Sequence, residues 1–397
     1  MAELGFRIFD ADNHYYEAED AFTRHIDPRM AKRAIQWGHV DGRKVLLVGG
    51  KVNRFIPNPT FDPVAKPGCL DQFYRGHNPK GLSMRELFGQ LEPIRRAYRD
   101  RDERLRVMDS QGIERAFLFP TLGVGMEEAL HGDPEALCAA FHAFNQWLDE
   151  DWGFAHRERL YGAPLVTLVD PSNAVRELEW ALARDARVIC LRAAPVPAPD
   201  RNRSLGDSLY DPFWARVQES GVVVAFHGGD HGYTKYADDW GEGGDFRAFA
   251  STPLRGLVSA DRPAFDTFAA LICHGVFDRF PALRVMSVEM GSDWVRELLR
   301  KLKKSFGQSP QAYRRDPVET FHRNVWVSPF QEEDLRSMAD LVGVDHMLMG
   351  SDFPHAEGIA EPSDYVHELK GFSPREIELV MRENALGLSQ RKPHPTQ

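Results

Sequence analysis

Short apolar runs alternate along the chain with longer stretches in which hydrophobic residues recur every three or four positions. The short runs centre near residues 9, 117, 164, 190, 224, 286, 326 and 348 and read as buried strands. Between them lie helical patterns. Residues 133–154 carry Leu137, Phe141, Phe144 and Leu148 at helical spacing. Similar patterns occupy 95–113, 173–186, 211–221, 262–281, 292–306 and 331–343, and a last one spans 373–389. Eight strands, each alternating with helix, predict an α/β chain folded as a single (β/α)8 TIM barrel over residues 1–397. A doubly wound nucleotide fold is the alternative, but no GxGxxG turn follows the first strand. The surplus length falls after strand one. Residues 34–56 read as short strands joined by glycine turns, and a proline- and glycine-rich loop runs on to about residue 90. This inserted segment, at about 34–90, is expected on the catalytic face as a lid or substrate wall, with a partner-binding surface as the plainer reading.

Composition narrows the function classes. With 397 residues and 43% hydrophobic content the chain can bury a large core, and its net charge of −10 gives no field for nucleic acid or anionic membrane. No apolar stretch is long enough for a membrane span and no signal-peptide pattern opens the chain, so a cytoplasmic location is expected. Cys69, Cys138, Cys190 and Cys273 stand far apart and read as reduced packing residues.

In a (β/α)8 barrel the carboxyl ends of the strands surround one pocket, so polar residues there are candidates for chemistry. Strand one ends in "DADNH" (10–14), and Asp12 and His14, two apart, point to the same side of an extended strand. Strand five ends in His227 and strand eight in Asp352. Two imidazoles and two carboxylates converge in this reading on one divalent metal ion, zinc first, with manganese or iron as alternatives. Asp10 alternates in phase with Asp12 and His14 and is a candidate for support behind them. His231 lies in a glycine-rich loop and is a weaker ligand candidate, while His274, between a helix and the next strand, reads as structural.

Taken in order, "DADNH", "VAFHGG", "GVFDRFPALRVMSVEMG" and "GSDFPH" resemble the amidohydrolase-related family that contains aminocarboxymuconate-semialdehyde decarboxylase and the hydroxybenzoate decarboxylases. The resemblance implies a (β/α)8 barrel, one divalent metal held by Asp12, His14, His227 and Asp352, a small-molecule substrate and a homodimer. It also implies non-oxidative decarboxylation of a small, possibly aromatic carboxylic acid, with Asp352 and Glu289 as catalytic groups.

Glu289 departs from the family's usual histidine after strand six, so either it is protonated or the substrate is less anionic than the family's acids. Its structural reading is a brace for Arg192 or a metal-bound histidine. Arg192, at the end of strand four, is the candidate clamp for a substrate carboxylate, with a salt bridge to Glu289 or Asp230 as the alternative. His355 and Trp294 are expected to line the pocket. Trp37, Phe55, Phe61, Phe73 and Tyr74 in the inserted segment suit either a planar substrate or plain packing. Hydrolysis of an ester, lactone, amide or C–C bond by metal-activated water is the second mechanism, and a barrel that only binds is the third.

Overall fold

The computed structural model describes residues 4–249 and 252–394, and in it the β-branched runs become parallel strands. In chain order the strands are β1 (Ile8–Tyr15), β2 (Ile35–Val40), β3 (Arg43–Val48), β4 (Lys51–Val52), β5 (Ile113–Pro120), β6 (Leu160–Gly162), β7 (Val188–Arg192), β8 (Val223–His227), β9 (Val285–Val288) and β10 (Val325–Val327). β1, β5 and β6 pair in that order, and β7, β8, β9 and β10 form a second parallel run. Single parallel bridges close the gaps: Leu165 to Cys190, Val327 to Met347, and Asn13 to Phe353. Residues 347–353 thus act as the eighth stave between β10 and β1, and the ring is the (β/α)8 barrel read from the pattern. β8 is buried along its whole length, as a parallel strand covered on both faces must be.

Local chemistry starts and stops the helices that wrap this ring. Asp133, Asp170 and Asp316 each cap a helix through a side-chain oxygen that accepts a backbone N–H, and each is followed by a proline at the first helical position. Gly221 ends helix Asp211–Ser220 with φ 68, a conformation that lets the chain turn at once into β8. The pattern over 262–281 resolves into two helices, Arg262–Cys273 and Val276–Arg279, because Gly275 between them takes φ 68.

Two excursions rise from the ends of strands. The first, after β1, holds the antiparallel meander β2–β3–β4 and then a long loop with two short helices. The second follows β8 and carries helices Thr234–Asp238 and Pro253–Ser259, which the hydrophobic pattern did not reveal. Among the described residues no helix is long and apolar enough to cross a membrane, and all four cysteines are free thiols.

Candidate metal centre and active-site cavity

Strand ends bring Asp12, His14, His227 and Glu289 into one cluster, and Asp352 into a second that shares His14 and Glu289 with the first. Asp12 and His14 lie toward the end of β1, His227 is the last residue of β8, and Asp352 lies at the end of the eighth stave. Glu289 comes directly after β9 with φ 52, and Asp352 has φ 54, both in the left-handed region that ordinary side chains avoid. Such turns at the two strand ends, which flank β10, set both carboxylates at the ring's mouth.

The backbones also approach closely there. A Cβ on Gly228 would meet the Glu289 carbonyl oxygen at 2.4 Å, and one on Gly350 would meet the Asp12 Cβ at 2.6 Å.

The ligand atoms are evenly spaced. His14 Nε2 lies 3.2 Å from Asp12 Oδ1, 3.2 Å from His227 Nε2, 3.4 Å from Glu289 Oε2 and 3.4 Å from Asp352 Oδ1. His227 Nε2 lies 3.3 Å from Asp12 Oδ1 and 3.2 Å from Glu289 Oε2. Metal bonds of about 2.1 Å give ligand–ligand edges of roughly 3.4 Å in a tetrahedron and roughly 3.0 Å in an octahedron. The observed spacings fall in that range. His227 Nδ1 faces the Gly228 carbonyl at 2.9 Å, so that nitrogen carries the proton and Nε2 presents its lone pair to the cluster. Asp12, His14, His227 and Glu289 present donor atoms to one point, and His14, Glu289, Asp352 and His355 to a second beside it; either set of oxygen and nitrogen donors fits a divalent cation.

The electrostatics favour a positive charge at that point. Burial works against a charged His14, but contacts with Asp12 and Glu289 push its imidazolium up to about 10. Burial likewise opposes ionisation of Asp12, yet the adjacent imidazoles of His14 and His227 hold its carboxyl below the usual range. Asp352 is pushed well above its ordinary value by burial and then by the charge of Glu289. Behind the ligands, the buried Asp10 accepts from Asp12 N at 3.2 Å, Asn13 Nδ2 at 2.9 Å, Ser351 N at 3.0 Å and Ser351 Oγ at 2.5 Å, tying β1 to the eighth stave.

Over the cluster opens a cavity of about 440 Å³. His14, Thr121, Glu289, His355 and Glu357 contribute its polar lining, and Phe55, Phe61, Tyr74, Phe88, Phe246 and Phe249 its aromatic walls. No lysine or arginine lines it among the described residues. His355 stands where it was expected. Its Nδ1 is 2.6 Å from Asp352 Oδ1 and its Nε2 is 2.8 Å from the Thr121 hydroxyl, while burial and the nearby His14 hold it well below the ordinary histidine value.

Two expected pocket residues are elsewhere. Arg192 does not reach the cavity. It pairs with Glu128 Oε2 at 2.7 Å and donates to the His231 carbonyl at 3.3 Å, so neither Glu289 nor Asp230 is its partner. It borders a separate void of about 20 Å³ with Glu127, Cys190, His227 and His231. Trp294 is a core residue: it stacks on Phe268 at 4.9 Å, and its indole N–H donates to the Gly291 carbonyl at 3.0 Å. Helix Asp293–Gln308 turns away from the barrel mouth immediately after Glu289 and carries the ring with it. His231 is buried and no ligand atom of the cluster is its own, and His274 bonds Ser204 on the surface. Phe55, Phe61 and Tyr74 of the inserted segment reach the cavity, whereas Trp37 and Phe73 do not line it. Sequence reasoning missed Glu357, Thr121 and the aromatic pair Phe246 and Phe249. The signal for Glu357 was its place in the same strand-end loop as Asp352.

A family model described as amidohydrolase matches residues 60–388. The chain belongs to that family. It is 47% identical to an amidohydrolase from Mycobacterium avium subsp. paratuberculosis K-10, with a TM-score of 0.92 over 97% of this chain and 99% of that one. The fold is also similar to 5-carboxyvanillate decarboxylase from Sphingomonas paucimobilis, with 17% identity and a TM-score of 0.60 over 98% of this chain and 100% of that one. A third similar structure is dihydroxybenzoic acid decarboxylase from Polaromonas sp. JS666, crystallised with manganese and the inhibitor 2-nitroresorcinol, with 21% identity and a TM-score of 0.57 over 81% of this chain and 93% of that one. No curated protein matches the chain.

Proposed function

We propose that this protein is a divalent-metal-dependent hydrolase that adds water to the carbonyl group of an uncharged, largely apolar substrate. The observation that carries this reading is the charge of the cavity: Glu289 and Glu357 line it, and no lysine or arginine does among the described residues. A substrate carboxylate entering there finds no lysine or arginine to pair with and only the bound ion to hold it, whereas an ester, lactone or amide needs no cationic partner.

In this reading Asp12, His14, His227 and Asp352 hold the ion, and Glu289 is close enough to join them. Zinc suits the donor set, as do manganese and iron. When bound, such an ion supplies Lewis acidity and lowers the pKa of a water molecule to about 7. Asp352 accepts the proton released by the attacking water, and His355, 2.6 Å from it, passes a proton to the leaving group. Thr121 holds the His355 ring through Nε2. Aromatic residues of the inserted segment and of the excursion after β8 keep bulk water from the reacting carbonyl, which gives the insertion its role as a lid.

Non-oxidative decarboxylation of a small aromatic acid is the second reading. The aromatic walls and the volume of the cavity suit a planar ring, and the chain shares its fold with proteins named as aromatic-acid decarboxylases. There Asp352 or Glu289 delivers a proton to carbon as CO2 leaves. The test offers the metal-loaded protein nitrophenyl esters and aryl lactones beside hydroxybenzoates, with both acid release and CO2 measured. Metal-dependent ester or lactone cleavage without CO2 supports the first reading, and CO2 from a hydroxybenzoate replaces it with the second. Neither activity from protein carrying a full equivalent of metal leaves a barrel that only binds.

A further inference from the structure

Glu357 lines the cavity but stands outside the cluster of metal-facing ligand atoms. Its loop is pinned on several sides. Gly68 N and Leu70 N of the inserted segment donate to the carbonyls of His355 and Ala356, Ile359 N donates to Ser351, and Gln331 Nε2 reaches the Glu357 carbonyl. The backbone is thus held, and the side chain is delivered to a set place in the wall. Among the described residues no donor reaches its buried Oε2. A carboxylate oxygen without a partner in an aromatic cavity is costly, and a bound molecule that brings a donor removes that cost. Burial, followed by the charge of Glu289, pushes the Glu357 carboxyl up to about 8, and its own backbone N–H and the nearby His14 offset this only in part.

We infer that Glu357 is a specificity-determining residue that selects substrates carrying a hydrogen-bond donor, a hydroxyl or an ammonium group, on their apolar body. The inference rests on the hydrolytic reading above for the word substrate, but the contact itself is a binding event and is tested as one. The metal-loaded, full-length protein is titrated calorimetrically with two matched pairs: 4-methylphenol against 4-methylanisole, and benzylamine against benzyl methyl ether. The wild type should bind at least one donor about 10-fold more tightly than its capped partner, and Glu357→Leu should bring each pair to near-equal affinity.

The nearly isosteric Glu357→Gln keeps an accepting oxygen without the charge, so it should retain a preference for the hydroxyl and lose one for the ammonium. This arm also separates the two donor classes and guards against misfolding of the leucine variant. Equal affinities within both pairs in the wild type overturn the inference, as does a donor preference that survives in Glu357→Leu. Ester cleavage is read on the same samples. A donor preference without cleavage refutes the hydrolytic reading and leaves the Glu357 contact standing, and cleavage without a donor preference does the reverse.

Discussion

Replacing Glu17 by glutamine isolates one buried charge whose energetic effect has a defined pH window. Glu17 is 1% exposed, and its Oε1 accepts the backbone N–H groups of Leu122 at 2.8 Å and Gly123 at 3.0 Å, which anchors the loop after β5 beside Thr121. Its Oε2 is buried without a partner. Burial raises the carboxyl, the two backbone donors and His14 only partly offset this, and the group is pushed up from 4.5 to about 7. At about 1.4 kcal/mol for each tenfold in proton affinity, that rise corresponds to about 3 kcal/mol. The folded chain holds its proton more tightly than the unfolded one. The stabilising contribution is therefore complete below pH 4.5, falls as pH climbs from 4.5 to 7, and is gone above that. Glutamine keeps an oxygen for Leu122 and Gly123 and cannot ionise. The stability of Glu17→Gln relative to the wild type should accordingly rise by about 3 kcal/mol between pH 4.5 and 7 and stay level at higher pH. Urea unfolding of both proteins at half-unit pH steps measures it. A difference that does not change across this window would refute the assignment of a buried, proton-retaining carboxyl.

Three further outcomes test the site and its support. Asp12→Ala combined with His14→Ala should abolish binding of zinc or manganese, measured by elemental analysis after dialysis, while circular dichroism stays that of a folded barrel; retained metal would reject the ligand assignment. Asp10→Ala strips a shared acceptor from four donors on β1 and the eighth stave. It should weaken metal affinity by about 10- to 100-fold, read by competition with a chelator, and lower stability by about 3 kcal/mol. Trp294→Ala should cost about 3–5 kcal/mol in thermal or urea unfolding as a core truncation, without changing the order of preference among bound ligands.

The barrel and the cluster of Asp12, His14 and His227 were legible because both follow from short-range rules. Apolar runs of strand length mark the staves, Asp-Pro pairs mark helix starts, and the two-residue period of a strand sets Asp12 and His14 on one side. Once eight staves are counted, the carboxyl ends of strands one, five and eight must share a mouth, so His227 and Asp352 follow without any knowledge of loops. What escaped depends on how the chain leaves a strand. Glu289 joins the candidate donor atoms where its backbone turns to φ 52, and four residues on begins the helix that carries Trp294 into the core against Phe268. Arg192 is claimed by Glu128, a residue of the short helix after β5 that no spacing rule connects to β7.

The cavity walls obey the same distinction. They come from the segment after β1, the excursion after β8 and the loop after the eighth stave, and loops of this length pack by tertiary contact rather than by period. The candidate metal donors therefore sit at strand ends, where a pattern of two can be read, and the cavity walls come from loops that must first be folded. Glu357 belongs to the second kind: it is five residues beyond Asp352 in sequence, in a loop that Gly68 and Leu70 of the inserted segment hold through the carbonyls of His355 and Ala356.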